Sequence, residues 1–461
     1  MAADLTLRDE GAVQRRVLLV AILATFVAFL DGTVVIVALP AIGRDLGGGG
    51  EAALGLQQWV VDAYLVTLGS LILLAGSLSD VFGRRRVLAA GLAGFAAASA
   101  LCALAPTGPV LVGARALQGV AGALLVPSSL AMIVSTFQGE AQGRAIGRWT
   151  AWTGTAAIVG PLIGGALVDT LSWRYVFWLT VPACLLTLVL LRRLARGTRA
   201  PGRRIDVGGA VLAGVGLAAT VSALIEAGRL GWGHPLVVGG LVVGAVGLGA
   251  FLVLERRSAD PMLPLRLFSI RNFAWGNAAT AAIYGALAFG GFLVTLFLQQ
   301  VAGYPATLAG LAQLPAIFAL LFLSGRFGAL AGRMGARWFM TVGPLLAAVG
   351  FLLMLATDAH ATYWTQVLPG QLVFGLGLAV TVAPLTSAIL GAAPTADAGI
   401  ASAINNAVAR VAGLVTVAFA GVILAGALDV ATFHRGLVVT AVMFAVGGLL
   451  SFAGIRGRLG A

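Results

Sequence analysis

Val17-Leu-Leu-Val-Ala-Ile-Leu-Ala-Thr-Phe-Val-Ala-Phe-Leu-Asp31-Gly-Thr-Val-Val-Ile-Val-Ala-Leu39 is the stretch whose reading decides the fold. As a helix it is about 35 Å long at 1.5 Å per residue, enough to cross the hydrocarbon core of a bilayer. One ionisable group, Asp31, sits near its centre. An apolar run of this length with a single acid predicts a membrane span that carries a functional charge.

The rest of the chain repeats the pattern. Runs of similar length lie at 57–79, 86–105, 109–133, 145–168, 174–194, 207–226, 235–255, 272–299, 306–330, 338–357, 363–391, 400–427 and 434–455. With 17–39 that predicts an all-α membrane protein of fourteen transmembrane helices. The connections are short, so no soluble domain is inserted. Composition agrees: of 461 residues 60% are hydrophobic and only 10% charged, and mean hydropathy is +1.01. A water-soluble domain has no place to hide so much apolar surface. Sixty-four glycines suit helices that pack closely within a bilayer. No cleavable signal peptide is expected, because the first ten residues are polar and the first apolar run is long enough to span.

Net charge is +12, and its placement matters more than its size. Every basic side chain is arginine, and all but six of the 29 fall on the side of the membrane that holds the N-terminus, if that terminus is cytoplasmic. The exceptions are Arg44, Arg174, Arg229 and Arg435 in opposite-side segments, and Arg115 and Arg410 within helices. This asymmetry predicts cytoplasmic termini in a multi-pass cytoplasmic-membrane protein. Arginines confined to short gaps form no stripe, so nucleic-acid binding is not expected. Tryptophans fall near the ends of the runs, as in an aromatic belt. Cys102 and Cys184 lie inside apolar runs, giving neither a disulfide framework nor a metal site. His234, His360 and His434 read as plain loop residues.

An internal repeat organises the runs. Gly76-Ser-Leu-Ser-Asp80-Val-Phe-Gly83-Arg-Arg85 returns 252 residues later as Gly328-Ala-Leu-Ala-Gly332-Arg-Met-Gly335-Ala-Arg337. Pro127 in the fourth run is echoed by Pro384 in the twelfth. Runs 1–6 therefore resemble runs 9–14, two pseudo-symmetric six-helix halves with two inserted helices between them. The expected boundaries are 1–199, 200–260 and 261–461. Paired repeats of this kind build transporters, with the substrate site between them near the midplane.

Three charges within the runs are the candidates for chemistry. Asp31 is costly in the membrane unless it is paired, hydrated or titrating. Asp62, a turn or two inside the second run, either reaches the interface or faces a cavity, where it would carry protons or attract cationic substrate. Arg115, in Arg115-Ala-Leu-Gln118-Gly119-Val-Ala-Gly122, needs a carboxylate or carbonyls; moving it toward or away from an acid would couple proton release to helix movement. Arg410 is read as snorkelling to the interface. Gly76, Asp80, Gly83 and Arg84 form a tight turn whose acid is able to latch one state of a rocking transporter. In Gly154-Thr-Ala-Ala-Ile-Val-Gly160-Pro161-Leu-Ile-Gly164-Gly165, small residues let helices touch and proline bends the rod. Nothing resembles a nucleotide-phosphate loop or a nucleophile–base pair, so neither ATP-driven transport nor enzymatic activity is expected.

Taken together, these segments resemble the major facilitator superfamily, specifically its fourteen-span drug:proton antiporter branch. Leu30 to Pro40 looks like the helix-one motif of that branch, with Ile36 where Asn is usual. Gly76 to Arg86 matches the loop 2–3 motif, Arg115 to Gly122 the helix-four motif, and Gly154 to Gly165 the helix-five motif associated with antiport. Ser172-Trp-Arg-Tyr-Val-Phe-Trp-Leu-Thr180-Val-Pro182 resembles the following signature, with Thr180 replacing Asn. Asp206-Val-Gly208 and Gly303-Tyr-Pro-Ala-Thr-Leu-Ala-Gly310 also fit, so the resemblance covers nearly the whole chain.

The resemblance implies proton-driven export of drugs or antibiotics, hydrophobic or cationic, by alternating access. The proton gradient would be the energy source, with no cofactor and no metal. Arg115 and Asp31 would couple protons, Asp62 and Asp31 would contact substrate, and a monomer is favoured. A dedicated exporter of one secondary metabolite is the alternative. A proton-coupled nutrient symporter is a poorer fit, since the Gly-Pro motif counts against it. A scaffold has no reason to carry the cost of Asp31 and Arg115.

Overall fold

The computed structural model of the chain describes residues 2–48, 50–194, 206–258, 261–394, 398–424 and 428–456. They form, in order, the helices α1 (Ala2–Leu46), α2 (Gly50–Phe82), α3 (Arg84–Ala103), α4 (Gly108–Thr136), α5 (Gly139–Gly154), α6 (Ala156–Thr170), α7 (Arg174–Trp178), α8 (Thr180–Arg192) and α9 (Val207–Leu230). The series continues with α10 (Pro235–Arg257), α11 (Arg271–Gln300), α12 (Ala306–Leu311), α13 (Leu314–Met334), α14 (Ala336–Leu353), α15 (Leu368–Ala392), α16 (Ala398–Ala418), α17 (Ala420–Leu424) and α18 (Val430–Gly454). Among the described residues thirteen segments are long and apolar enough to cross a membrane. The 33-residue α2 is a further long helix between the first two of these, and the set is consistent with the fourteen spans expected.

Two differences from the sequence reading have simple causes. Several spans are made of two consecutive helices, because the chain breaks stride at Thr155, Leu179, Ala312–Gln313 and Phe419. Hydropathy averages over such breaks. Helix α1 also begins far ahead of Val17 and α2 ahead of Gln57, since helix-forming polar residues continue the rod beyond the apolar layer.

Helices α1–α8 form one bundle and α11–α18 a second, while α9 and α10 pack on each other. The repeat is visible in the backbone. Gly83 opens α3 at φ 93° and Gly335 opens α14 at φ 92°, a region that a residue with a Cβ rarely adopts. Within the second bundle α14 and α15 touch backbone to backbone. A Cβ at Gly350 would strike the Gly370 carbonyl, and one at Gly377 would strike that of Gly343, the close approach that small residues permit in a bilayer. Phe351 packs against Phe374 at 4.9 Å and Phe444 at 5.7 Å, and Phe297 stacks on Phe433 at 3.7 Å. Helix α10 turns Leu236, Val242, Val246 and Val253 outward, as a lipid-facing helix does.

Hydrogen bonds between the bundles cluster at the end away from the termini. Gln58 Nε2 donates to the carbonyls of Val417 at 3.0 Å and Ala418 at 3.2 Å. Gln299 Nε2 donates to Val37 O at 3.0 Å. Asp169 accepts from Ala306 N at 2.9 Å, Thr307 N at 2.8 Å and Thr307 Oγ1 at 2.6 Å. Helix α9 lies along this seam, where its Val221 and Leu224 pack with Val66 of α2 and Leu414 and Ala418 of α16.

Candidate functional site: a buried charge network beside the seam

Asp31 sits mid-way along α1, where its side chain is 0% exposed, and Arg115 of α4 is 2% exposed. Arg115 Nη1 donates to Asp31 Oδ2 at 2.6 Å, and Gln118 Nε2 donates to Asp31 Oδ1 at 2.8 Å. The guanidinium is used further: Nη1 also reaches Gln118 Oε1 at 2.6 Å and Nε donates to Val60 O of α2 at 2.9 Å. Its plane lies over the Tyr64 ring at 4.4 Å, a favourable place for a cation in an apolar setting. Gln118 Nε2 continues to Ser99 Oγ at 2.8 Å, and Thr180 Oγ1 donates to the same Ser99 oxygen at 2.9 Å. A buried pair of this kind persists only when its remaining donors and acceptors are satisfied, and here α1, α2, α3, α4 and α8 each supply a partner.

Asp62 stands apart from this network. It is fully buried, so it does not reach the interface, and neither carboxylate oxygen has a hydrogen-bond partner among the described residues. Gln58, Asp62 and Val66 are spaced four apart and share a face of α2. Gln58 and Val66 both meet α16, so Asp62 lies on the seam between the bundles.

Arg410 does not snorkel. It lies mid-way along the Ile400–Leu424 span, with its guanidinium carbon 5.7 Å from the ring centre of Phe29 of α1. The stem is too far from either end of the span for the head to reach water there.

The small residues of α6 make two contacts at once. A Cβ at Gly160 would strike Thr33, and one at Gly164 would strike Val34, both of α1. On the other side Gly165 abuts the backbone of Thr307, and Gly310 of α12 abuts Pro161. This stretch is one of the places where the first bundle touches the second.

The profile of the Major Facilitator Superfamily matches residues 21–416. The chain belongs to that superfamily. It is 38% identical over 418 residues to the puromycin resistance protein of Streptomyces alboniger, covering 89% of this chain and 82% of that one. It is 36% identical over 413 residues to the multidrug resistance protein Stp of Mycobacterium tuberculosis, covering 88% and 75%. Among solved structures, a D-xylose–proton symporter superposes with a TM-score of 0.70 at 18% identity, covering 96% of this chain and 98% of that one; this likeness shows the fold alone. The chain is thus a multi-pass membrane transporter acting on small molecules, and not an enzyme.

Within the superfamily pattern, the loop 2–3 motif forms a one-residue turn between α2 and α3. Gly83 N donates to Ser79 O at 3.1 Å, and Val87 N donates back to Gly83 O at 3.2 Å. Arg85 Nη2 donates to Arg192 O at 3.1 Å, tying the turn to the end of α8. The side chain of Asp80 lies outside the described residues. Sequence reasoning missed Gln118, Ser99 and Thr180. Gln118 was findable, since a residue three after Arg115 shares its helix face. Thr180, in the signature that follows the helix-five motif, enters the network through its hydroxyl.

Proposed function

We propose that the chain is a proton-coupled antiporter that exports drug- or antibiotic-like small molecules across the cytoplasmic membrane by alternating access. The observation that carries this reading is the Asp31–Arg115 pair at 2.6 Å, held inside the bundle that forms one wall of the seam. A shift of α1 against α4 within that bundle, accompanying the rocking of the two bundles, parts the pair and opens the carboxylate to a proton. One movement then exchanges a proton for a substrate.

The remaining assignments rest on the same geometry. Both termini are placed in the cytoplasm by the arginine asymmetry. The seam sealed by Asp169, Gln58 and Gln299 is then the outer gate, and this state faces inward. The Gly160–Gly165 face of α6 seals that gate without a leak path. Asp62 reaches water only when the outer seam parts, and there it exchanges a proton or meets substrate. In this state both oxygens of Asp31 are occupied, so its contact with substrate belongs to another. Gly76, Asp80, Gly83 and Arg84 act as the cytoplasmic latch, and the protein works as a monomer. A relative named for puromycin alone favours, as a second reading, a dedicated exporter of one metabolite.

Everted membrane vesicles test the proposal. An imposed proton gradient, acid inside, is expected to drive uptake of amphipathic organic dyes or antibiotics, fluorescein among them, and a protonophore to abolish it. Uptake indifferent to the protonophore, or substrate and proton moving in the same direction, would contradict antiport.

A further inference from the structure

Arg410 is a second guanidinium at the middle of the membrane, and it lacks what Arg115 has. No ion pair or hydrogen bond of its side chain is found among the described residues; its guanidinium carbon lies 5.7 Å from the centre of the Phe29 ring. The two buried acids of the first bundle are not bonded to it. Asp31 is held by Arg115 and Gln118, and Asp62 is buried with both oxygens unpartnered, hence not bonded to Arg410.

The position of this charge follows from its neighbours. Helix α1 is ringed by α2, α4, α5, α6, α8 and α11, so it has little lipid-facing surface. Yet Phe29 is 40% exposed at mid-span. A side chain of a centrally placed helix, open to solvent and covered by a residue of the opposite bundle, borders the space between the bundles. Asn406, one turn from Arg410 on the same flank of α16, is also exposed, and its amide bonds only its own helix at Ser402 O, 3.1 Å away. Arg410, Asn406 and Phe29 thus present a permanent positive charge, an amide and an aromatic face to one compartment. An unpaired guanidinium in so apolar a place is costly unless something anionic visits it.

We propose that Arg410 selects the charge of the cargo. It receives the carboxylate or other anionic group of an amphipathic organic molecule, whose flat apolar body lies on Phe29. This deepens the export reading and rests on it, and it replaces an expected preference for cations with one for organic anions.

Two xanthene dyes of similar size and opposite charge, fluorescein and rhodamine 123, make the test. Their binding to the purified full chain is measured by fluorescence polarisation at pH 8. The wild type is expected to bind fluorescein at least about tenfold more tightly than rhodamine 123, and Arg410→Gln to lose about that factor for fluorescein, the worth of one charge-assisted hydrogen bond. Binding of rhodamine 123 by Arg410→Gln, undiminished, shows that the variant is folded. Arg410→Lys should retain most of the fluorescein affinity and Arg410→Glu should invert the preference. Fluorescein affinity unchanged in Arg410→Gln, absent in the wild type, or weaker there than that of rhodamine 123 overturns the assignment. Each of those results leaves proton-driven export standing, because it is read from binding and not from transport; failure of proton-driven uptake in vesicles would in turn leave the dye result intact.

Discussion

Asp31 brings a formal charge into the apolar centre of the chain, and Arg115, Gln118, Ser99 and Thr180 bear its cost between them. Removing one member of a buried pair strands the other, at a cost of about 3–5 kcal/mol. Arg115→Ala is therefore expected to lower the melting temperature of the purified protein and to uncouple proton movement from export; undiminished uphill export would rule out the coupling role. Arg115→Lys should be nearly as damaging to coupling, because an ammonium lacks the planar fork that serves Asp31, Gln118 and Val60 O together. Thr180→Val is a milder change, removing one hydroxyl at about 1 kcal/mol, and is expected to leave coupling in place. The charged members of the network were legible in the sequence because charge within an apolar run is conspicuous. Ser99 and Thr180 were not, since a hydroxyl in a membrane helix usually returns to its own backbone, as Thr187 does to Ala183 O at 2.7 Å. Asp62 was visible but left between interface and cavity, and Arg410 was visible but read as snorkelling, the economical guess for a charge near a helix end; only packing shows that neither reaches one.

At the scale of elements, apolar run length found the spans and the motif turns found their joints. The breaks at Thr155 and Leu179 stayed hidden, because each lies inside a single run with no proline or charge next to it. Gly165 gives a direct handle on the seal. Gly165→Val places its side chain against the Thr307 backbone, so the outer seam should fail to close. Spin labels at Leu171 and Leu308 are expected to show a longer distance in that variant than in the wild type; an unchanged distance would remove α6 from the gate. Gly83→Ala forces a Cβ into the φ 93° conformation, at about 1–3 kcal/mol, and should lower thermal stability. Asp429 caps α18 through reciprocal bonds with Thr432, which hold its carboxyl below the usual Asp value. Its folded-state pKa is thus depressed, so its contribution is present above the unfolded value of about 3.9 and fades as pH falls through the folded one. Melting curves between pH 6 and pH 3 should show a steeper acid loss for the wild type than for Asp429→Asn.

For the whole molecule, the repeat in sequence and the matched turns at Gly83 and Gly335 describe two similar bundles that need not act alike. The Asp31–Arg115 pair and Asp80 belong to the first bundle; the second offers Arg410 and, at the equivalent of Asp80, Gly332. The proposed function divides the labour accordingly, with proton chemistry in the first bundle and cargo recognition shared across the seam. Helix α9, laid along that seam, links the inserted pair to its opening. The most direct measurement is proton release from the purified protein, in weakly buffered detergent, when a transported substrate is added. The wild type is expected to release protons on substrate addition, and Asp31→Asn, inserted and folded, to release none. Normal release from Asp31→Asn would show that the proton exchanged for cargo resides elsewhere.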